Sequence, residues 1–246
     1  MPLNFLRHKS RQIVLFWRQK GYIHLLPLLS AIRVGGLLIA GLALWGFAQI
    51  ADEVLEQETN TIDRSILLTL ARLHTPLLDR VMVGITFLGE PSFLLVICLG
   101  VGSWLLYRRQ RSAATTLAIA GIGAIGLNFL LKNLFARTRP LLWQRIVDVT
   151  NYSFPSGHAM ISLVIYGMLG YLLATRFKRW WRSIFTVTIL LIAAIGFSRL
   201  YLGVHWPTDV LAGYAAGLVW LVACILSLEV WRERGAARSV SSDQNR

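Results

Sequence analysis

The sequence predicts an all-α protein: a polytopic membrane helical bundle of six transmembrane helices, with short interfacial helices beside them. Composition supplies two of the reasons. Of 246 residues, 55% are hydrophobic and only 15% are charged, where a soluble domain carries about a quarter charged residues. The mean hydropathy is +0.57. The third reason is layout: the apolar residues fall in runs long enough to span lipid, which takes about 20 residues for a hydrocarbon core of roughly 30 Å.

The runs lie at about 31–51, 91–107, 113–131, 157–175, 184–202 and 208–228. Ahead of the first, residues 1–30 set Arg7, Lys9, Arg11, Arg18 and Lys20 among Leu3, Phe5, Leu6 and Trp17. No small-residue cleavage site follows a compact apolar core, so this segment reads as a basic helix on the cytoplasmic membrane face rather than a secretory signal. Between the first two runs, residues 61–89 alternate apolar and charged positions and contain Pro76. They read as one or two short interfacial helices. The wider 52–90 segment carries Asp52, Glu53, Glu56, Glu58 and Asp63, for which a solvated outward face is a better reading than a cap over a site. The polar stretch 235–246 is expected to be a disordered tail. With no repeat and no second domain, 1–246 reads as a single membrane-embedded domain.

A formal charge of +13 would suggest nucleic acid as the partner of a soluble protein. Here the charge is segregated by loop, so the bilayer is the partner and nucleic acid is not. Six spans put both termini on one side. That side holds 17 basic residues against three acidic ones, a net of +14, while the other holds eight against nine, a net of −1. The positive-inside rule places both termini in the cytoplasm and turns 52–90, 132–156 and 199–208 outward. Cys98 and Cys224 lie inside apolar runs and read as packing residues, with neither disulfide nor metal-ligand spacing. Gly213 and Gly217 read as sites of close helix approach.

Three clusters fall on the outward side by this topology. Lys132 to Pro140 follows the third span, with Arg137 and Arg139 inside it. Ser153 to His158 opens the fourth, and Ser198 to Asp209 joins the fifth to the sixth. Taken singly, a histidine at the water line or an arginine at a span end is more often an anchor than a ligand. Together they suit one anion. Lys132, Arg139 and Arg199 are costly at span ends unless an anion compensates them, and guanidinium forks match phosphate oxygens in pairs. Pro155-Ser156-Gly157 reads as a turn into a helix, with Ser156 at the N-cap and Gly157 allowing close backbone approach to a ligand. His205 and Asp209 are four apart, which stacks them on one helix face and lets the carboxylate orient the imidazole for attack on phosphorus. His158 is then the acid that protonates the departing oxygen.

These clusters resemble the type 2 phosphatidic acid phosphatase family, whose signature is Lys-x6-Arg-Pro, Pro-Ser-Gly-His and Ser-Arg-x5-His-x3-Asp. Here the three motifs stand as Lys132 to Pro140, Pro155 to His158 and Ser198 to Asp209, without departure. The resemblance extends over about 91–228. It implies a nucleophile at His205 supported by Asp209, a general acid at His158, and phosphate binding by Lys132, Arg139, Ser156, Gly157 and Arg199. It also implies catalysis with no metal and no cofactor, in keeping with the lack of a carboxylate cluster; cations and a helix N-terminus stabilise the charge instead. Arg137 stands outside the fixed positions, as a head-group contact or a loop anchor. The expected activity is hydrolysis of a phosphomonoester or diphosphate lipid through a phosphohistidine: phosphatidic acid, phosphatidylglycerophosphate or undecaprenyl diphosphate. Phosphotransfer to another acceptor is the alternative. A non-enzymatic lipid-binding scaffold is disfavoured because His158, His205 and Asp209 are all present. The sequence assigns neither the lipid nor the oligomeric state.

Overall fold

The computed structural model describes residues 31–56, 60–143, 147, 149 and 151–244. The basic segment 1–30 lies outside them. Eight α-helices follow in order: α1 (Ala31–Leu55), α2 (Asn60–Ala71), α3 (Pro76–Phe87), α4 (Pro91–Tyr107), α5 (Arg111–Phe135), α6 (Gly157–Arg176), α7 (Trp181–Tyr201) and α8 (Pro207–Gln244). The described residues form no strand. Residues 40–246 form one compact unit, which holds the core and the site described below.

Local signals account for the helix ends. Pro76 and Pro91 open α3 and α4 in the first turn, where a missing N–H costs nothing. Thr75 caps α3 by accepting from the Leu78 N–H at 3.3 Å. The last turn of α5 closes through Ala136, in the left-handed region at φ 45°, whose N–H returns to the Lys132 carbonyl. That turn directs the chain into the loop carrying Arg137 and Arg139.

The segment 61–89 forms two short helices, α2 and α3, as its broken pattern suggests. The second predicted span needs adjustment. Alone, α4 has 17 residues, about 25 Å of helix and short of a full crossing. Five other helices are long and apolar enough to cross a membrane, and α3 with α4, bent by 45° at 88–90, make the sixth when taken together. At the other end, the backbone of 235–244 continues α8, where the sequence reading expects a disordered tail; beyond Gly235, Ala236, Ala237 and Arg238 are good helix formers.

The core lies between α4, α5, α6 and α8, with Leu94, Leu117, Val164, Ile165, Met168 and Leu221 at its centre. Glycine brings α8 onto α6: a Cβ on Gly213 would stand 2.8 Å from the Ser156 carbonyl, and one on Gly217 2.9 Å from that of Met160. A smaller cluster of Ala51, Val54, Phe154 and Ala212 seats the turn that precedes α6. Around this core the outer surface is apolar, with Leu42, Ile122, Phe129, Leu134 and Val187 each at least 65% exposed. Water would not tolerate so continuous an apolar surface, and lipid solvates it. The chain is a multi-pass membrane protein.

Candidate active site

The three sequence clusters meet at one end of the bundle. Lys132 comes from the last turn of α5, Arg139 from the loop after it, Gly157 and His158 from the start of α6, Arg199 from the last turn of α7, and His205 from the loop before α8. All six line one cavity of about 450 Å³. Ser156 and Asp209 stand behind this wall, fully buried. A backbone bond ties them, with the Ser156 N–H donating to the Asp209 carbonyl at 2.9 Å.

His205 Nδ1 lies 3.2 Å from Asp209 Oδ2. The four-residue spacing works differently from a shared helix face, because α8 begins at Pro207 and His205 precedes it. Asp209 instead reaches back from the first turn, and its Oδ2 also accepts the Trp206 N–H at 2.9 Å. This is the carboxylate half of a capping box; capping the helix fixes the group that orients the imidazole. With Nδ1–H donating to Asp209, Nε2 carries the lone pair and faces Arg139 Nη1 at 3.1 Å. Burial first, then the positive charges of Arg139, Arg199 and Lys132, hold His205 well below the usual histidine pKa, so its imidazole is neutral.

The two arginines are anchored rather than loose. Arg139 donates to the carbonyls of Val204 (2.7 Å), Asn151 (2.5 Å) and Tyr152 (3.2 Å). Arg199 is 4% exposed and donates to Thr86 Oγ1 at 2.6 Å, while its Nε makes no hydrogen bond. Ser156 occupies the N-cap position of α6 as expected, yet its hydroxyl makes no capping bond and has no partner. An unpaired buried donor costs about 1–3 kcal/mol. Arg199 lines the cavity, whereas Ser156 lies behind it, as the residue before Gly157.

The sequence pattern of the PAP2 superfamily matches residues 111–233, half of the chain. The chain belongs to the PAP2 superfamily. Its relatives include phosphatidylglycerophosphatase B of Bacillus subtilis, 32% identical over 178 residues that cover 70% of this chain and 86% of the relative. An undecaprenyl-diphosphatase of Sulfolobus acidocaldarius is 35% identical over 118 residues, 46% of this chain and 54% of that one. The crystal structure of a transmembrane PAP2 type phosphatidylglycerolphosphate phosphatase from Bacillus subtilis matches with a TM-score of 0.73 at 27% identity, covering 79% of this chain and 96% of the other. This PAP2 chain is accordingly a phosphatase-type hydrolase.

Several residues around this site were not assigned to it from sequence. Asp63 of α2 is 1% exposed, against the expectation of a solvated acidic face for its segment. Its Oδ1 accepts the Thr208 N–H at 3.1 Å, and its Oδ2 accepts the Thr208 hydroxyl at 2.5 Å and Arg137 Nη2 at 2.9 Å. Arg137 in turn donates to Asp209 Oδ1 at 2.8 Å and to Thr208 Oγ1 at 2.7 Å. Arg137 is thus an internal strut from α2 to the acid behind His205, closer to the loop-anchor reading than to a head-group contact. Asn128 of α5 donates to the Pro155 carbonyl at 3.2 Å and so fixes the turn before α6. It also explains Gly157, where a Cβ would stand 3.0 Å from Asn128 Oδ1. One signal existed for Asn128: an amide inside an apolar run must find a buried partner. Glu90, at the bend between α3 and α4, lies 3.0 Å from His158 through Oε2 and Nε2.

Proposed function

We propose that this PAP2 chain is a metal-independent phosphatase of phosphomonoester or diphosphate lipids that works through a phosphohistidine on His205. The observation that carries the reading is the pairing of a buried His205 with Asp209 on Nδ1 while Nε2 meets Arg139 in the cavity that also holds Lys132 and Arg199. Such a nitrogen is a nucleophile whose orienter stays behind it. The cations and the N-terminus of α6 stabilise charge on the phosphoryl oxygens, with Arg199 Nε as an unpaired donor on the cavity wall. Attack requires the guanidinium of Arg139 to yield Nε2 to phosphorus and turn its N–H groups to the oxygens. His158 is the acid for the leaving oxygen, and in the second step the base for water.

A second cavity supports a lipid as the carrier of the phosphate. It is an apolar groove of about 440 Å³ between α4 and α5, walled by Leu95, Cys98, Ala118 and Ile122. Pro91, Ile125 and Ile161 line both the groove and the phosphate cavity, so the two adjoin, as a lipid phosphate with its chain beside it would need. The charge asymmetry of the loops supports a site on the outer face with both termini in the cytoplasm. Phosphatidylglycerophosphate and undecaprenyl diphosphate, named by the relatives, are the first substrates to try, with phosphatidic acid.

The test is phosphate release from these three lipids in detergent with a chelator present, compared by kcat/KM. Release from at least one, abolished in a folded His205→Ala variant, is the expected result. Turnover retained in that variant, or a strict requirement for added divalent metal, would overturn the proposal.

A further inference from the structure

We propose that Glu90 is a positioning residue for leaving-group protonation: its carboxylate orients His158 and balances the charge of the imidazolium. This rests on the reading above, in which His158 is the acid. Nothing in the motifs points to Glu90, which lies outside residues 111–233 of the family match.

The geometry is that of a second histidine–carboxylate pair in one cavity. Glu90 Oε2 is 3.0 Å from His158 Nε2, and both side chains line the cavity with His205. An imidazolium at His158 stands in an unfavourable place. It sits in the first turn of α6, where the helix dipole is positive, and shares its cavity with Lys132 of α5, Arg139 of the following loop, Arg199 of α7 and His205. The carboxylate at Nε2 is the negative charge in contact with it. With Nε2–H held by Glu90, Nδ1–H remains for the departing oxygen.

The bend that carries Glu90 is held to the same helix as its partner. Tyr166 of α6 donates to the Leu88 carbonyl at 2.8 Å. Gly89 allows the approach, since a Cβ there would stand 2.5 Å from Ile195 Cγ2 and 3.2 Å from His158 Cδ2. Glu90 also sits beside Pro91, which lines both the phosphate cavity and the apolar groove.

The P–N bond to His205 Nε2 forms, and the P–O bond to the leaving group breaks with its electron pair on oxygen. The Nδ1 proton of His158 moves to that oxygen, leaving His158 neutral beside the Glu90 carboxylate. When water attacks phosphorus, its proton returns to His158 and the P–N electron pair returns to His205.

Leaving-group dependence tests the role, because a good leaving group needs no proton. Wild type, Glu90→Gln, Tyr166→Phe and His205→Ala would be assayed on a short-chain alkyl phosphate and on p-nitrophenyl phosphate, with thermal unfolding alongside. For Glu90→Gln, kcat on the alkyl phosphate should fall about 10- to 100-fold and that on the aryl phosphate less than about 3-fold. Glu90→Asp, which keeps the charge, should recover part of the loss. Tyr166→Phe, which only loosens the bend, should give the same bias in smaller degree and carries the test if Glu90→Gln does not fold. Equal loss on both substrates, or no loss, overturns the role of Glu90 while His205→Ala, inactive on both, leaves the phosphohistidine reading standing. Full activity of His205→Ala removes both.

Discussion

At the scale of single residues, the account turns on the protonation of His205. Burial and three neighbouring cations depress its pKa, and a depressed pKa keeps an imidazole neutral to lower pH. The neutral form is the attacking one, so the acid limb of kcat/KM should lie below the ordinary histidine value of about 6.5. A pH–rate profile checks this, and a limb at or above that value would contradict it. Asp209→Asn should keep the fold but lose the acceptor that selects the Nδ1–H tautomer; a fall in kcat of roughly a hundred- to ten-thousand-fold is expected, from the behaviour of other histidine–aspartate pairs. The residues with fixed spacing were legible in the sequence: His158, His205, Asp209 and the three cations come from segments next to span ends, which topology alone gathers on one face. Glu90, Thr86 and Asp63 were not legible. They reach the site only through the packing of α2, α3 and the bend before α4, and no local periodicity encodes that packing.

At the scale of elements, the short helices before α4 act as a brace. Asp63 pins α2 to the start of α8 through Thr208 and Arg137. Asp63→Ala would take from Arg137, 9% exposed, one of the two carboxylates it pairs with at 2.9 and 2.8 Å. A loss of about 2–4 kcal/mol is expected from breaking one side of a buried ion pair, read by denaturant unfolding in detergent. Activity should fall as well, since Arg137 shares its charge with the acid behind His205. Stability within about 0.5 kcal/mol of wild type would show that the strut carries no weight. The spans themselves were largely legible, because apolar runs of this length have no other comfortable solvent. The exception was α4, too short for its task; its continuation in α3 was masked by Pro76, Asp79 and Arg80, which made that stretch read as purely interfacial.

At the scale of the whole molecule, the proposed orientation rests on charge segregation and the proposed chemistry on the site. With a net of +14 on one side and −1 on the other, a fluorescent-protein fusion at the C-terminus should fluoresce in the cytoplasm, and an alkaline phosphatase fusion there should be inactive. The opposite pattern would place the cavity on the inner face. The central claim is that phosphate passes through His205. Its most direct measurement is a single-turnover acid–base quench of purified protein with a phosphate-labelled lipid. The account predicts label bound covalently to the protein, stable to alkali and labile to acid, mapped to His205 and absent in His205→Ala. Turnover with no covalently bound label, or label on another residue, would contradict it.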